Sequence, residues 1–145
     1  MKMKVHLEKL GVQTKKEMEM INITDEVIKV VERSGIRNGV VNVITMHTTT
    51  GITVNEGIPC LEEDTIDTLK RLVPEGLNYH HARYLDFDGR LGVNAHCHLR
   101  GMLTGINTMF PVENGKIVKG GRQTIYFVEM DGPCYREYCV QVLGE

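Results

Sequence analysis

The last third of the chain is a succession of strand patterns, and this succession constrains the fold more than any other feature. Short segments rich in apolar and β-branched residues follow one another with polar turns between them, which is typical of antiparallel sheet. No alternation of strands with helices is long enough for a doubly wound parallel sheet. The sequence therefore predicts an α+β fold with mainly antiparallel or mixed sheet. The expected strands are 94–103, 106–111, 117–119, 123–129 and 135–143.

Earlier segments add strands to this sheet. Residues 5–12 and 18–21 each show a short apolar alternation on either side of the polar residues 14–17, which predicts a first hairpin. Residues 39–46 are β-branched and almost continuously apolar, as expected for a central strand that is covered on both faces. The pattern resumes at 52–55 after a run of threonines and a glycine.

Two principal helices are expected between these strands. The first begins at Thr24, which has the side chain of an N-cap and is followed by two carboxylates, and it ends at Gly35. The second spans about 61–73, where an apolar stripe recurs at helical spacing, and Pro74 stops it. Residues 75–93 show no clear periodicity and predict a long loop.

Size and charge restrict the partners of the chain. With 145 residues it fits one domain, 1–145. A net charge of −2 with mixed signs favours neither nucleic acid nor a membrane surface. No apolar run approaches the roughly 20 residues of a membrane span, and the first residues lack an apolar signal core. We expect a cytoplasmic protein with a small-molecule partner.

Histidines mark the candidate site. His96 and His98 flank Cys97 in the sequence Asn-Ala-His-Cys-His. On a strand the two imidazoles share a face roughly 7 Å apart, whereas on a helix they diverge by roughly 200°. The strand pattern favours the first arrangement, with Cys97 on the opposite face as a small buried hydrophobe. Cys-x-x-Cys pairs are lacking, so a zinc ribbon is excluded.

A metal site is one interpretation of these histidines. Catalytic zinc typically has three protein ligands and an open position, and His47, His81 and His98 would supply such a set. Local hydrogen bonding of each histidine is the alternative, and the residues alone leave the two about equally favoured.

Other polar residues add acid/base and phosphate chemistry. The hydroxyls and amides of Thr48 and Thr49, before a glycine, offer contacts to a phosphate, although threonines are also ordinary strand residues. Glu56, next to Asn55, and Asp64 are the candidate catalytic carboxylates, either as a base beside a metal-bound water or orienting a ligand histidine.

A set of motifs, spread in order over nearly the whole chain, closely resembles the YjbQ family, whose members are often labelled secondary thiamine-phosphate synthases. The motifs are 47–56 (HTTTGITVNE), Asp64, 79–81 (YHH), 94–99 (NAHCHL), 111–115 (PVENG) and 123–133. The resemblance implies an α+β domain that assembles as a homotrimer with polar pockets near subunit boundaries. It also implies thiamine-phosphate synthase activity, in which a pyrimidine pyrophosphate is joined to a thiazole phosphate and pyrophosphate is released.

The resemblance assigns roles to the histidines. His47, His81 and His98 fall on the family's expected metal ligands. His96 falls on a variable neighbour that would contact substrate or close the site as a further ligand, and His80 falls on a variable position. A three-histidine set suits zinc, whereas pyrophosphate chemistry normally uses magnesium or, by similar coordination, manganese.

One departure from the family pattern concerns substrate. Where the family usually has Gly-Thr-Trp-Gln, this chain has Gly-Gly-Arg-Gln, ending in Arg122 and Gln123. The change removes an aromatic ring that could stack on a substrate and adds a positive charge; we expect Arg122 and Gln123 to contact an anionic substrate.

Three hypotheses follow. The first is a metal-dependent enzyme acting on a phosphorylated small molecule. The second is a non-catalytic trimeric module that binds a metal or ligand. The third assigns the histidines to hydrogen bonding at a subunit interface.

Overall fold

In the part of the chain that the structure describes, two larger antiparallel sheets, a two-stranded ribbon and three α-helices form the fold. The computed structural model describes residues 2–82 and 92–145, together with the backbone of 84–85 and 90–91. The α+β class is confirmed. In chain order the elements are β1 (Lys4–Gln13), β2 (Glu19–Asn22), α1 (Thr24–Ser34), β3 (Gly39–Thr45), β4 (Thr50–Glu56), α2 (Pro59–Leu72), a 3₁₀ turn (His80–Ala82), β5 (Tyr84–Leu85), β6 (Arg90–Leu91), α3 (Ala95–Thr104), β7 (Asn107–Glu113), β8 (Lys116–Ile117), β9 (Gln123–Glu129) and β10 (Tyr135–Gly144).

The strands divide between a large and a small sheet. The large sheet has the order β1-β10-β3-β7-β8, the small sheet has the order β2-β9-β4, and β5 pairs only with β6. The predicted hairpin of the first two strands is therefore wrong, because β1 pairs with β10 and β2 pairs with β9. Thr14 redirects the chain between them: its N–H donates to the carbonyl of Cys134, and its hydroxyl accepts the N–H of Cys134.

Two apolar cores lie on either side of the small sheet. The first fills the space between the large sheet, α1 and one face of the small sheet, and it includes Val41, Phe127 and Val140. The second lies on the other face of the small sheet and includes Leu69 of α2 and Cys97 of α3. The small sheet is thus the middle layer of the molecule.

This layering changes which strand is covered on both faces. β3 is the middle strand of the large sheet, as predicted, but only alternate residues such as Val41 and Val43 are fully buried. β9 is instead buried over five consecutive residues, 125–129. Its apolar run therefore reflects a core on each side.

The first two helices follow their sequence patterns with one correction at Thr24. Helix α1 ends at Gly35 in the left-handed conformation, and α2 ends two residues before Pro74. Thr24, however, is the first helical residue and does not cap α1. Its hydroxyl accepts the N–H of Ile125 at 2.9 Å, which ties the helix to β9.

Helix α3 replaces the strand predicted at 94–103 and is a third helix where two were expected. Its buried residues include Ala95, Cys97, Arg100 and Gly101, a spacing that follows the helical period. A Cβ at Gly101 would lie 2.9 Å from the carbonyl oxygen of Thr50, so glycine allows the helix to approach β4. None of the helices in the described ranges is long and apolar enough to cross a membrane.

A buried ion pair joins β9 to β10. The guanidinium of Arg136 donates two hydrogen bonds to the carboxylate of Glu129, each of 2.8 Å. The same carboxylate accepts the hydroxyl of Thr14 at 2.9 Å and the N–H groups of Met130 and Asp131 at 3.0 and 2.9 Å. Glu129 is fully buried, so these bonds replace all of its hydration.

The ion pair keeps Glu129 charged. Burial alone raises the pKa of Glu129, but the hydrogen bonds from Arg136, from the N–H of Asp131 and from Thr14 outweigh burial and hold the pKa below its ordinary value. The pKa of Arg136 is raised, chiefly by its hydrogen bonds to Glu129.

Replacing Arg136 with methionine should destabilise the fold strongly, because Glu129 is left buried and charged without its partner. We expect the free energy of unfolding to fall by about 3–5 kcal/mol in urea denaturation. The double variant E129M/R136M, which buries no charge at this position, should recover a large part of the loss. A single variant within about 1 kcal/mol of the parent would contradict this account.

The pair also predicts a pH dependence. The folded pKa of Glu129 is lower than the value of about 4.3 for an unfolded glutamate. Its contribution is therefore complete above that pH and is lost as the pH falls toward the folded pKa. The difference in unfolding free energy between the parent and R136M should shrink below about pH 4, as measured by urea denaturation from pH 7 to 3. A constant difference would be the contrary result.

Candidate functional site

Asn94 is the centre of a hydrogen-bond chain at the start of α3. Its backbone carbonyl accepts the N–H of Cys97 at 2.9 Å and so begins the helix. Its side chain does not cap the helix. Instead, its amide nitrogen donates to Asp131 at 2.8 Å, and its amide oxygen lies 3.0 Å from Nε2 of His81. The amide thus fixes His81 relative to Asp131.

This chain determines the tautomer of His81. The amide nitrogen is committed to the carboxylate of Asp131, so the amide oxygen faces the ring and accepts a proton from Nε2. In the neutral ring the lone pair is then on Nδ1. Gly92 packs directly on the ring, since a Cβ there would lie 2.7 Å from Nε2. His81 is therefore held in place with one nitrogen available.

His98 completes a pair with His81. The two ring centroids lie 5.1 Å apart with the planes at 85°. Both side chains line a cavity of about 400 Å³ between the 3₁₀ turn and α3, and both are half-buried. The cavity is lined by Tyr79, His80, His81, Ala95, His98 and Leu99. Two imidazoles at this spacing can bind one metal ion or exchange a proton.

Cys97 lies beneath the pair and is inert. Burial, followed by the charge and hydrogen bond of Asp131, raises the pKa of the Cys97 thiol to about 12. The side chain is 1% exposed. Its prediction as a small buried residue is confirmed, on a helix and not on a strand.

His47 lies at a different place, beside the buried ion pair. Its Nε2 accepts the N–H of Glu137 at 2.8 Å. Burial, and then the charge of Arg136, lowers the pKa of His47, so its ring is neutral near pH 7. A neutral ring that accepts at Nε2 carries its proton on Nδ1 and offers no free lone pair. His47 would join a metal set only after this bond is released.

The three predicted metal ligands accordingly do not converge within one chain. In the described part of the chain, the ligand atoms of His47, His81 and His98 are not grouped within 4.8 Å of one another. The structure brings together only His81 and His98. Metal binding by the set stays a prediction.

The two threonines predicted to hold phosphate differ in environment. Thr49 is buried, and its hydroxyl accepts a hydrogen bond of 3.0 Å from Arg136. Thr49 therefore belongs to the ion-pair network. Thr48 is exposed beside it.

The predicted residues on β4 and before β9 do come together. Asn55, Glu56, Arg122 and Gln123 line a cleft of about 440 Å³. One guanidinium nitrogen of Arg122 lies 3.5 Å from a carboxylate oxygen of Glu56, and Arg122 is 87% exposed. Arg122 is thus free to turn toward an anion.

Asp64 and His96 lie away from the histidine pair. Asp64 is on the exposed side of α2 and lines a separate cavity of about 300 Å³ that also includes Asn55. His96 is 5% exposed, and its Nε2 is 3.9 Å from a carboxylate oxygen of Glu75. Helical geometry turns it away from His98, so the shared face predicted for the two residues is wrong.

The sequence reasoning missed Asn94 and Asp131 as functional residues. Both fall within the motifs that carried the family resemblance, but neither is a metal ligand or catalytic group by type. Their role depends on a contact between residues 37 positions apart. Gly92 was likewise treated as part of a loop, although its lack of a side chain admits the ring of His81.

Comparisons with known proteins agree with this fold. A relative from Archaeoglobus fulgidus, described as a UPF0047 protein, is 42% identical over 134 residues, which cover 92% of this chain and 98% of the relative. A UPF0047 protein from Methanothermobacter thermautotrophicus is 38% identical over 99% of this chain and 95% of its own length.

The same holds for solved structures. A YbjQ-like protein of unknown function from Sulfolobus solfataricus superposes with a TM-score of 0.91 at 36% identity, covering 99% of this chain and all of that one. A hypothetical protein from Aeropyrum pernix gives a TM-score of 0.86 at 33% identity, covering 97% and 99%. Residues 8–145 match the family described as UPF0047 protein YjbQ-like. The chain belongs to this family.

Proposed function

We propose that the protein is a metal-dependent enzyme acting on a phosphorylated small molecule at the cavity of His81 and His98. The observation that carries the proposal is the orientation of His81 by Asn94 and Asp131. Metal-binding histidines almost always donate their other ring N–H to such a partner, which fixes the tautomer and the ring. With Nε2 bound to Asn94, Nδ1 of His81 is the nitrogen that would bind a metal.

The chemistry of the donors fits a borderline divalent metal. Two imidazoles favour zinc over magnesium, and manganese is the next candidate. Such a metal supplies positive charge against a phosphate oxygen. The residues of the chain contribute orientation: Asn94 holds His81, and the cavity between Tyr79 and Leu99 would offer apolar contacts to a bound substrate.

Arg122 offers a contact to an anion in a separate cleft, which shares no lining residue with the cavity of His81 and His98. Its exposed guanidinium is opposed by a single carboxylate, Glu56, at 3.5 Å. A phosphate would compete for the same donors, and Gln123 and Asn55 line the same cleft. Glu56, released from Arg122, would then serve as a base. The reaction to test first is the joining of a pyrimidine pyrophosphate to a thiazole phosphate, with pyrophosphate as the leaving group.

Removal of His81 or His98 should abolish metal binding at this cavity. We expect H81A and H98A, purified without tag or chelator, each to carry about one zinc or manganese ion per chain less than the parent protein by mass spectrometry. N94A should retain the ligands but weaken metal affinity by about 10–100-fold. The control is H6A, because the His6 side chain lies on β1 and hydrogen-bonds to Glu8, away from the cavity.

Activity separates an enzyme from a binding module. If metal is bound and turnover of the phosphorylated substrates responds to its removal and return, the enzyme proposal stands. If the protein binds metal, and also binds an anion whose affinity falls in R122A, but shows no turnover, the non-catalytic binding module replaces the enzyme proposal. Metal content unchanged in H81A and H98A would refute both.

We further propose that the protein is a homotrimer formed through the outer face of the large sheet. Val5, Leu7 and Met109 on this face are 60%, 54% and 58% exposed. Register places Val5 beside Leu143, and Leu143 beside Val40, so the apolar residues form a continuous row. An apolar sheet face of this kind marks an interaction site. A neighbouring copy there would cover β3 on its second face, as its sequence pattern suggests.

A charge on this face should dissociate the trimer. We expect L7E to elute as a monomer in size-exclusion chromatography with light scattering, because Leu7 would be buried in the interface. The matched control is L72E, since Leu72 is 66% exposed at the end of α2, away from the sheet. A parent protein that is monomeric, or an L7E variant that stays trimeric, would overturn the assignment.

A further inference from the structure

A second group of potential metal ligands lies on the other side of α3 from His98. Glu17, Glu75 and His96 each present one ligand atom, and these three atoms lie within 4.8 Å of one another. They come from three separate segments: the connection from β1 to β2, the residues after α2, and the first turn of α3. We infer that they form a site for a divalent transition-metal ion, distinct from the cavity of His81 and His98.

The buried histidine is the observation that makes this more than an acidic cluster. His96 is 5% exposed, and its Nε2 points toward Glu75 but stops at 3.9 Å, beyond hydrogen-bond distance. An ion between Nε2 and the two carboxylates would give this nearly buried imidazole and both glutamates a common partner.

The spacing fits a single ion. Nitrogen and oxygen ligands lie about 2.0–2.2 Å from zinc, so neighbouring ligands of a tetrahedral ion are about 3.3–3.6 Å apart. The three atoms lie within 4.8 Å of one another, so binding would draw them together by up to about 1 Å, which the exposed side chains of Glu17 and Glu75 allow. Glu17 and Glu75 are both exposed, which leaves an entry path and room for water on the ion.

Nearby cations do not already neutralise the carboxylates. Within residues 2–82 and 92–145, no lysine or arginine nitrogen lies within 4.0 Å of either carboxylate. Glu17 and Glu75 line a cavity of about 520 Å³, which is also lined by Lys16, Lys70 and Arg100. Arg100 is engaged elsewhere, donating to the carbonyl of Val73 at 3.0 Å and contacting the sulfur of Met18. The lysines face solvent and are free to move away.

The donor set defines the ion. One imidazole and two carboxylates suit zinc or manganese and are less suited to calcium, which takes six to eight oxygens. Such an ion would clasp the start of α3 to the end of α2 and to the turn before β2. The ion would therefore hold in place the helix that carries His98, without contacting the substrate.

The test uses the full chain with zinc alone. In the double variant H81A/H98A, which lacks the first proposed site, calorimetry should detect one ion per chain. Adding E75Q, E17Q or H96A should weaken this binding by at least about 10-fold. The control is E63Q, because Glu63 is an exposed carboxylate on α2 outside the group.

Two results would overturn the inference: no ion bound by H81A/H98A, or unchanged affinity after E75Q and E17Q. Both glutamates are exposed, so these two variants remain informative if H96A does not fold. If the cavity of His81 and His98 binds no metal, the zinc titration of H81A/H98A is unaffected, because the double variant already lacks that site. Thermal unfolding gives an independent readout, because bound ion should raise the Tm of H81A/H98A and not that of H81A/H98A/E75Q.

Discussion

The buried pair of Glu129 and Arg136 is the interaction on which the rest of the structure depends. Its carboxylate gathers donors from the end of β1, from the turn after β9 and from β10. Its guanidinium adds Thr49 at the start of β4. Four distant segments thus meet at one charge pair between the two sheets. A buried pair earns little net stability over apolar packing, but it penalises any arrangement that leaves a partner unpaired. The geometry of the turn between β9 and β10 is therefore specified closely.

The pair of Glu129 and Arg136 also positions His47 and His81. The N–H of Asp131 donates to Glu129, and the carboxylate of Asp131 in turn accepts from Asn94, which holds His81. On the other strand, the N–H that follows Arg136 in the chain donates to His47. A disturbance of the pair would thus reach His47 through one bond and His81 through three. The threonine and histidine motifs, which are distant in the sequence, are therefore joined by hydrogen bonds to the same buried ion pair.

Strand patterns predicted most of the fold, since alternation and turn residues are local properties of the chain. They failed at α3, because the sequence Ala-His-Cys-His-Leu-Arg alternates small or apolar with polar residues just as a strand does. Packing of Cys97 and Gly101 against the small sheet decides for the helix, and that contact is not local. In the candidate site, too, local patterns were predicted and long-range contacts were not. Residue types indicated His81, His98 and the cleft of Glu56 and Arg122, whereas Asn94, Asp131 and Glu75 act through long-range contacts that no spacing reveals.

The helical state of 95–104 changes the meaning of the His-x-His sequence. Two histidines on one strand face would share a ligand, but on a helix they diverge by roughly 200° and enter different surroundings. His98 meets His81 in a partly apolar cavity, while His96 meets two carboxylates. Each of these partners lies on a segment other than α3, so an ion on either side would fasten the helix to a different neighbour. Because His96 and His98 belong to the same ten-residue helix, fastening His96 would also limit the positions open to His98. The two sites would then be coupled through the helix, and by linkage the effect would be reciprocal.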